Sequence, residues 1–185
     1  MLLAGAWLTT PVHAAPVTLT LDPAETRVSF AVGSTLHLVE GTARLVEGEV
    51  RFDSEGGAAS GRIAIDARSA QTGNSRRART LHADVLESER FALIVFVPER
   101  VEVLRVSGSE AEVRVAGRLD LHGNVRPIAI SAQLRADGGR LAVDARFALP
   151  YLEWGVGDPD TFLLKVDDVV NIRVEAKGRV DPPLR

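Results

Sequence analysis

Three histidines, His37, His82 and His122, are the side chains in this sequence best suited to metal or acid–base chemistry. If they met at one point, they could hold a metal ion such as zinc and leave one coordination position open. Their spacing follows neither the HxH nor the HExxH pattern, so the sequence does not show whether they converge. A metal-binding or enzymatic site is therefore one hypothesis, and structural or exposed histidines are the simpler one.

Three arginines, Arg76, Arg77 and Arg79, stand close together in the chain. They fall in the first turn of a predicted helix, where the helix dipole disfavours positive charge. One interpretation is contact with an anion, such as a lipid headgroup or a partner's carboxylate. The other is a solvated helix face with acids nearby. We take Arg77, Arg79 and the neighbouring His82 as candidates for binding the polar head of a ligand.

Three of the few aromatic rings, those of Tyr151, Trp154 and Phe162, surround a stretch rich in glycine and proline. Such rings often border a ligand entrance, because tyrosine and tryptophan combine an apolar body with a polar tip. They could equally plug one end of a barrel. The sequence contains no recognisable nucleophile–base pair, paired carboxylates or phosphate-binding glycine loop. It therefore favours binding over catalysis and predicts no cofactor.

The composition excludes several other classes of protein. The chain has 185 residues, of which 45% are hydrophobic and only 5% aromatic, and it contains no cysteine. This length and apolarity suit one folded domain and argue against disorder. Without cysteine there are no disulfides or thiolate sites. A net charge of −3 provides no basic field for nucleic acid.

Residues 1–14 have the features of a signal peptide. An apolar run leads to Val12-His13-Ala14, a small-x-small pattern of the kind that signal peptidases cleave. The usual positive charge before the run is missing, so an upstream start or an ordinary first strand is the alternative. No stretch reaches the ~18 continuous apolar residues of a transmembrane helix. We therefore expect an exported protein with one domain at residues 15–185.

Alternation of apolar and polar side chains dominates the rest of the sequence. In 113–121 the odd positions are apolar, apart from a glycine, and most even positions are polar, which predicts a half-buried strand. Further strands are predicted at 17–21, 26–32, 43–53, 59–67, 91–97, 99–106, 128–134, 141–147 and 170–176. Short turns between such strands indicate an antiparallel sandwich or barrel. A barrel is favoured, because closure removes exposed edges.

Two segments depart from this alternation. Residues 74–88 place apolar side chains at helical spacing, with Asn74 or Ser75 as the N-cap. They predict one helix of three to four turns at the mouth or side of the barrel. Residues 151–160 contain too much glycine and proline for a strand, and they predict a loop.

Four blocks of the sequence carry a resemblance to known proteins. They are Leu21-Asp22-Pro23 with HLVEGT at 37–42 and the strand to Asp53; TGNSRRARTLHADVLES at 72–88, running on to Phe96; GRLDLHGNVRPI at 117–128; and FALPYLEWGVGDPDTFLLKV at 147–166 with Val170-Asn171-Ile172. In this order and spacing they resemble the YceI-like family of bacterial periplasmic proteins. The chain departs from that family at Ala78, usually an aspartate, and at Gly157, usually a basic residue.

The resemblance implies an all-β fold, a single antiparallel lipocalin-like β-barrel of about eight strands with the helix at its mouth or side. It also implies that the interior holds a long isoprenoid chain, such as a polyprenyl or quinone tail. Few rings and many small aliphatic residues are compatible with an open channel. The residues expected to line the barrel or its entrance are Phe30, Val115, Leu119, Leu121, Ile130, Phe147, Tyr151, Trp154 and Phe162.

Three functions remain open at this point. The first is a periplasmic carrier for an isoprenoid, a quinone or a similar long-chain lipid, with no nucleic-acid partner and with a homodimer left open. The second is a metal-binding or enzymatic barrel that uses His37, His82 and His122. The third is a stress-response interaction module whose interior is solid and binds no ligand.

Overall fold

The computed structural model describes residues 16–53, 57–159 and 165–183. Over these residues the chain forms nine β-strands, one α-helix and three shorter helical turns. The strands are β1 (Val17–Leu21), β2 (Arg27–Val32), β3 (Val39–Phe52), β4 (Ala59–Gln71), β5 (Leu93–Ser107), β6 (Glu110–Leu121), β7 (Asn124–Asp137), β8 (Arg140–Leu149) and β9 (Val170–Asp181). The predicted signal peptide, residues 1–14, lies outside the described residues. Within those residues, no helix is both long and apolar enough to cross a membrane.

Eight strand positions close the sheet into an antiparallel barrel, in the order β3, β2, β9, β8, β7, β6, β5 and β4, with β4 pairing back to β3. The first two strands lie end to end between β3 and β9 and together fill one position of the barrel. Strand β1 pairs with residues 49–52 of β3 and 178–181 of β9. Strand β2 pairs with residues 39–43 of β3 and 171–175 of β9. A helical turn at Pro23–Glu25, capped by Asp22, separates them. The predicted all-β barrel is confirmed.

The structure has a strand at each predicted place, except that two of the predicted strands form a single one. Residues 91–97 and 99–106 were expected to form two strands, but they belong to one, β5. Pro98 divides the sequence pattern because it cannot donate a ladder hydrogen bond. In the structure Pro98 is fully buried beside a register shift between Pro98 and Arg100. Such a bulge allows a strand to continue past a proline.

The predicted helix is present at one end of the barrel but is shorter than 74–88. Helix α1 covers Ser75–Thr80, and Asn74 Oδ1 caps it by accepting the Arg77 N–H at 3.0 Å. A wider π-type turn at Leu81–Val85 follows. Residues 151–160, predicted as a loop, contain a short 3₁₀ helix at Tyr151–Trp154 that ends at Gly155, whose φ is +73°.

The two ends of the barrel carry different connections. The far end has the β3–β4, β5–β6 and β7–β8 turns. The mouth has the loop 33–38, α1 with its π-type turn, the β6–β7 turn, and the segments 150–159 and 165–169. A cluster of buried side chains lies toward each end. The far cluster is mostly aliphatic, whereas the mouth cluster includes Phe96, Tyr151 and Trp154.

Candidate functional site

A cavity of about 720 Å³ runs along the inside of the barrel. Side chains from all nine strands line it, and nearly all of them are apolar. Several inward aliphatic residues, among them Ile63, Ile65 and Ile130, are only half-buried because they border this space. The volume falls within the range of about 300–1,000 Å³ that is typical of ligand pockets.

Two phenylalanines lie against the barrel wall. A Cβ atom at Gly41 would lie 2.2 Å from Phe30 Cζ, and one at Gly117 would lie 2.8 Å from Phe96 Cζ. Only glycine allows the rings to approach the strands this closely. Both rings contribute apolar surface to the cavity. Their close approach to the wall leaves more of the lumen open.

The structure places most of the sequence-predicted lining residues on the cavity. They are Phe30, Val115, Leu119, Leu121, Ile130, Phe147 and Tyr151. The strand alternation located six of them, because each side chain points inward from its strand. Tyr151 projects from the 3₁₀ helix at the mouth. Phe162 lies outside the described residues.

Trp154 takes a structural position instead of lining the cavity. Its side chain is only 2% exposed, and its Nε1–H donates to the Leu119 carbonyl at 3.0 Å. Asn124 Nδ2 in turn donates to the Trp154 carbonyl at 2.7 Å. Trp154 therefore attaches the 151–154 helix to the end of β6. Of the two alternatives for this ring, packing at the barrel end describes its position.

The polar residues of the cavity lining all lie at the mouth. They are His37, Thr72, Asn74, Arg76, Arg77 and Thr80, and among the described lining residues there is no carboxylate. Arg77 Nη2 lies 2.9 Å from His37 Nε2, which joins α1 to the loop 33–38. The opening of the cavity is therefore lined by guanidinium and imidazole groups, whereas the interior is apolar. No sequence motif singled out His37 as a partner of Arg77, since 40 residues separate them.

The other two candidates for a polar head lie away from the cavity lining. Arg79 is exposed on α1. His82 is held between Ser88 Oγ at its Nδ1 and the Ala70 carbonyl at its Nε2, both at 2.9 Å. Because a carbonyl can only accept, Nε2 carries the proton. His82 therefore fastens the π-type turn to β4.

The three histidines do not converge. His37 contacts Arg77 and His82 contacts Ser88 and Ala70, whereas His122 packs on the Phe91 ring with centroids 4.1 Å apart. His122 Nε2 also lies 2.8 Å from Glu87 Oε2, although the ring N–H is not directed as a hydrogen bond requires. Across the described ranges, no three side chains of His, Asp or Glu are grouped to hold a metal.

Gly157, one of the two departures from the family pattern, has a steric reason. A Cβ atom there would lie 2.0 Å from the Asp84 carbonyl oxygen. The Gly157 N–H instead donates to the Val85 carbonyl at 3.0 Å. This contact brings residues 156–157 against the π-type turn, and the two segments together cover one side of the mouth. A basic side chain at 157 would prevent that approach.

A second depression, of about 930 Å³, lies on the outside of the barrel. It is open to solvent and bordered mainly by residues of β2, β3, β8 and β9, and it shares Phe30, Thr72, Phe147 and Ile172 with the interior cavity. Its lining carries charges of both signs, among them Arg173 and Glu175, which pair at 2.8 Å. The enclosed apolar interior is therefore the better candidate for ligand binding.

Comparison with known proteins gives both sequence and structural matches. A family model for the YceI-like domain matches residues 19–178. No curated protein sequence matches the chain significantly. Three solved structures with similar folds come from different bacteria.

BcnA from Burkholderia cenocepacia is 19% identical with a TM-score of 0.67, over 85% of this chain and 98% of that one. A polyisoprenoid-binding domain from Saccharophagus degradans, implicated in plant cell wall breakdown, is 16% identical with a TM-score of 0.68, over 87% and 97%. A YCEI protein from Campylobacter jejuni is 14% identical with a TM-score of 0.57, over 75% and 80%. At these identities the similarity shows a common fold. The family match over residues 19–178 confirms the resemblance seen in the four sequence blocks, and the chain belongs to the YceI-like family.

Proposed function

We propose that this protein is a periplasmic carrier that sequesters an isoprenoid or a similar long-chain amphiphile in its barrel, without enzymatic turnover. The cavity is the observation that carries the proposal, because it is long, apolar and polar only at one end. The structurally similar domain from Saccharophagus degradans is a polyisoprenoid-binding domain, which supports the same class of ligand. The periplasmic location rests on the predicted signal peptide and on the family resemblance.

The size of the cavity favours an occupied interior over a ligand-free interaction module. An empty space of about 720 Å³ leaves the apolar atoms along its lining without packing partners. Water gains little in such a space, because the far part of the lining offers it no polar partners. A hydrocarbon chain both fills the volume and gains about 25 cal/mol per Å² of buried apolar surface.

The polar mouth suggests how the ligand is oriented. We propose that the tail lies among the aliphatic side chains, and that the head lies near Arg76, Arg77 and His37. A guanidinium binds phosphate or carboxylate through paired hydrogen bonds, and it can also donate to a quinone carbonyl. Arg79 and His82, the other head candidates from the sequence, do not border the cavity.

Native mass spectrometry of the purified protein tests the proposal directly. We expect a bound species whose mass exceeds that of the protein by one amphiphile, and which organic solvent extracts. Extracted protein should bind an added polyprenyl lipid or quinone again. Protein that carries no amphiphile and takes up none after extraction would overturn the proposal.

Two tryptophan substitutions on β7 separate cavity binding from general effects on the barrel. Ile130 points into the cavity, whereas its neighbour Ala129 is exposed on the outer face. Ile130→Trp should reduce retention of the lipid at least tenfold, because the indole occupies the lumen. Ala129→Trp should retain lipid as the unmodified protein does. Equal retention by both variants, with circular dichroism unchanged, would place the lipid outside the barrel.

A further inference from the structure

Two large aliphatic side chains are exposed at the rim of the cavity mouth. Leu36 is 75% exposed and Leu38 is 58% exposed, while His37 between them lines the cavity. Adjacent exposed apolar side chains are candidates for a contact surface, and this pair adjoins the cavity lining at His37.

The loop that carries these leucines is held in place by hydrogen bonds. Ser34 Oγ donates to the His37 carbonyl at 2.6 Å, and the Thr35 N–H donates to the Lys165 carbonyl at 2.9 Å. The Asp167 N–H donates to the Gly33 carbonyl at 2.9 Å. The backbone of residues 33–38 is thus held by a bond within the loop and by two bonds to residues 165–167, and both leucine side chains are exposed.

A cationic surface adjoins the leucines on one side. Helix α1 carries Arg76, Arg77 and Arg79 and no acidic residue, and its contact with the leucine loop is the Arg77–His37 pair at 2.9 Å. Acids stand near the loop on both sides: the Asp167 carboxylate covers Gly33, and Glu40 is exposed on β3. Helix α1 itself carries only positive charge, in a chain whose net charge is −3.

We propose that Leu36, Leu38 and the arginines of α1 form a docking surface for an anionic lipid bilayer. Protruding aliphatic side chains beside basic residues match the apolar and anionic layers of a membrane interface. The leucines would enter the acyl boundary, and Arg76 and Arg79 would contact lipid phosphates. Docking in this orientation places the cavity mouth on the bilayer, so that a lipid tail passes between membrane and barrel without crossing water.

The docking proposal rests on the proposed carrier function, because docking would serve to transfer lipid. Vesicle binding can nevertheless be measured separately from the binding of lipid in the cavity. Co-sedimentation uses the full protein with vesicles of phosphatidylcholine alone or of phosphatidylcholine with phosphatidylglycerol. We expect binding to the anionic vesicles that weakens as salt is added. Failure of lipid loading with intact vesicle binding would remove the carrier function only, and the reverse result would remove only the docking surface.

The chain offers a matched control at the opposite end of the barrel. Val103 and Val106 are 50% and 68% exposed near the β5–β6 turn. The double variant Leu36→Ser/Leu38→Ser should lower vesicle affinity about tenfold or more, since it removes most of the inserted apolar surface. Arg79→Gln should lower it by a smaller factor and reduce its dependence on salt. Val103→Ser/Val106→Ser should leave it unchanged.

Three results would overturn the docking surface. One is absence of binding to anionic vesicles. Another is an equal loss of vesicle binding in the leucine and valine double variants. The third is self-association by analytical ultracentrifugation that the leucine substitutions abolish, without any vesicle binding, since the leucines would then cover a second copy of the chain.

Discussion

The two ends of the barrel are built from the same strands, yet they differ in side-chain packing and in polarity. At the far end Val17, Leu141, Ala176 and Val180 are almost fully buried and lie outside the cavity lining. We call these four residues the far-end plug. At the mouth the described lining includes charged and polar side chains from the loop 33–38 and from α1. The far end is packed with apolar side chains, and the described part of the mouth is polar and cationic.

The difference shows how a barrel of antiparallel strands comes to have two unlike ends along its axis. Strand β1 covers only the far half of the position that it shares with β2, and it brings Val17 to the plug. At the mouth, the strands lead into connections that contain a helix, a π-type turn and a 3₁₀ helix. Under the proposed carrier function, these unlike ends would let an amphiphile enter with its tail first and keep its polar head beside the polar groups of the mouth.

The largest effect that tests this comparison is expected from Trp154→Ala. The variant loses a side chain that is 2% exposed and the hydrogen bond to the Leu119 carbonyl. Removing such a ring costs about 3–5 kcal/mol in the free energy of unfolding. Hydrogen exchange should locate the loosened amides at the mouth and leave the far end protected. Equal loss of protection at both ends would show that the ends do not behave as separate structures.

A second test compares two leucines of the far half. Leu141 belongs to the far-end plug, whereas Leu134 borders the cavity. Leu141→Ala should cost about 2–5 kcal/mol of unfolding free energy with or without lipid, because no ligand reaches the space. Leu134→Ala should cost less in lipid-loaded protein than in extracted protein, since the tail can occupy the vacated volume. Urea unfolding of both variants in both states measures this, and the same lipid dependence for the two would contradict the plug.

Much of the fold could be predicted from the sequence, because alternation determines which side chains face inward. Val115, Leu119, Leu121 and Ile130 were located in this way, and the barrel places all four on the cavity. The merger of two predicted strands into β5 could not be foreseen, since Pro98 usually ends a strand in the absence of a bulge. The resemblance to the YceI-like family, rather than periodicity, indicated that the barrel is hollow.

The mouth was less predictable, because its contacts join residues far apart in the chain. The sequence suggested His82 as a ligand contact, but Ser88 and the Ala70 carbonyl occupy both of its ring nitrogens. Trp154 was expected at the entrance and instead is attached to β6. Only tertiary structure reveals that Arg77 meets His37. Local spacing identifies which residue types are present, and the loops decide which of them meet.

The smallest predicted effect on stability comes from an ion pair on the outer wall of the barrel, between the two ends. Asp144 on β8 accepts hydrogen bonds from Arg173 at 2.7 Å and from Arg146 at 3.1 Å. The Arg173 hydrogen bond is the main cause that lowers the pKa of Asp144 below its ordinary value, and Arg146 adds to it against a partial burial effect. A carboxyl whose pKa is lower in the folded state stabilises the fold above its unfolded pKa of about 3.9. That stabilisation is lost as the pH falls through the lowered value.

Asp144→Asn should therefore reduce stability slightly at neutral pH, and the difference from the unmodified protein should disappear in strong acid. The effect is small because both partners are more than a third exposed and solvent screens the pair. Thermal unfolding at pH 7 and near pH 2 measures it, with Asp137→Asn at the far-end turn as the control. Lipid retention should not change in either variant, because the Asp144 side chain does not border the cavity. A loss of retention in Asp144→Asn would mean that the outer wall, and not only the two ends, controls the lumen.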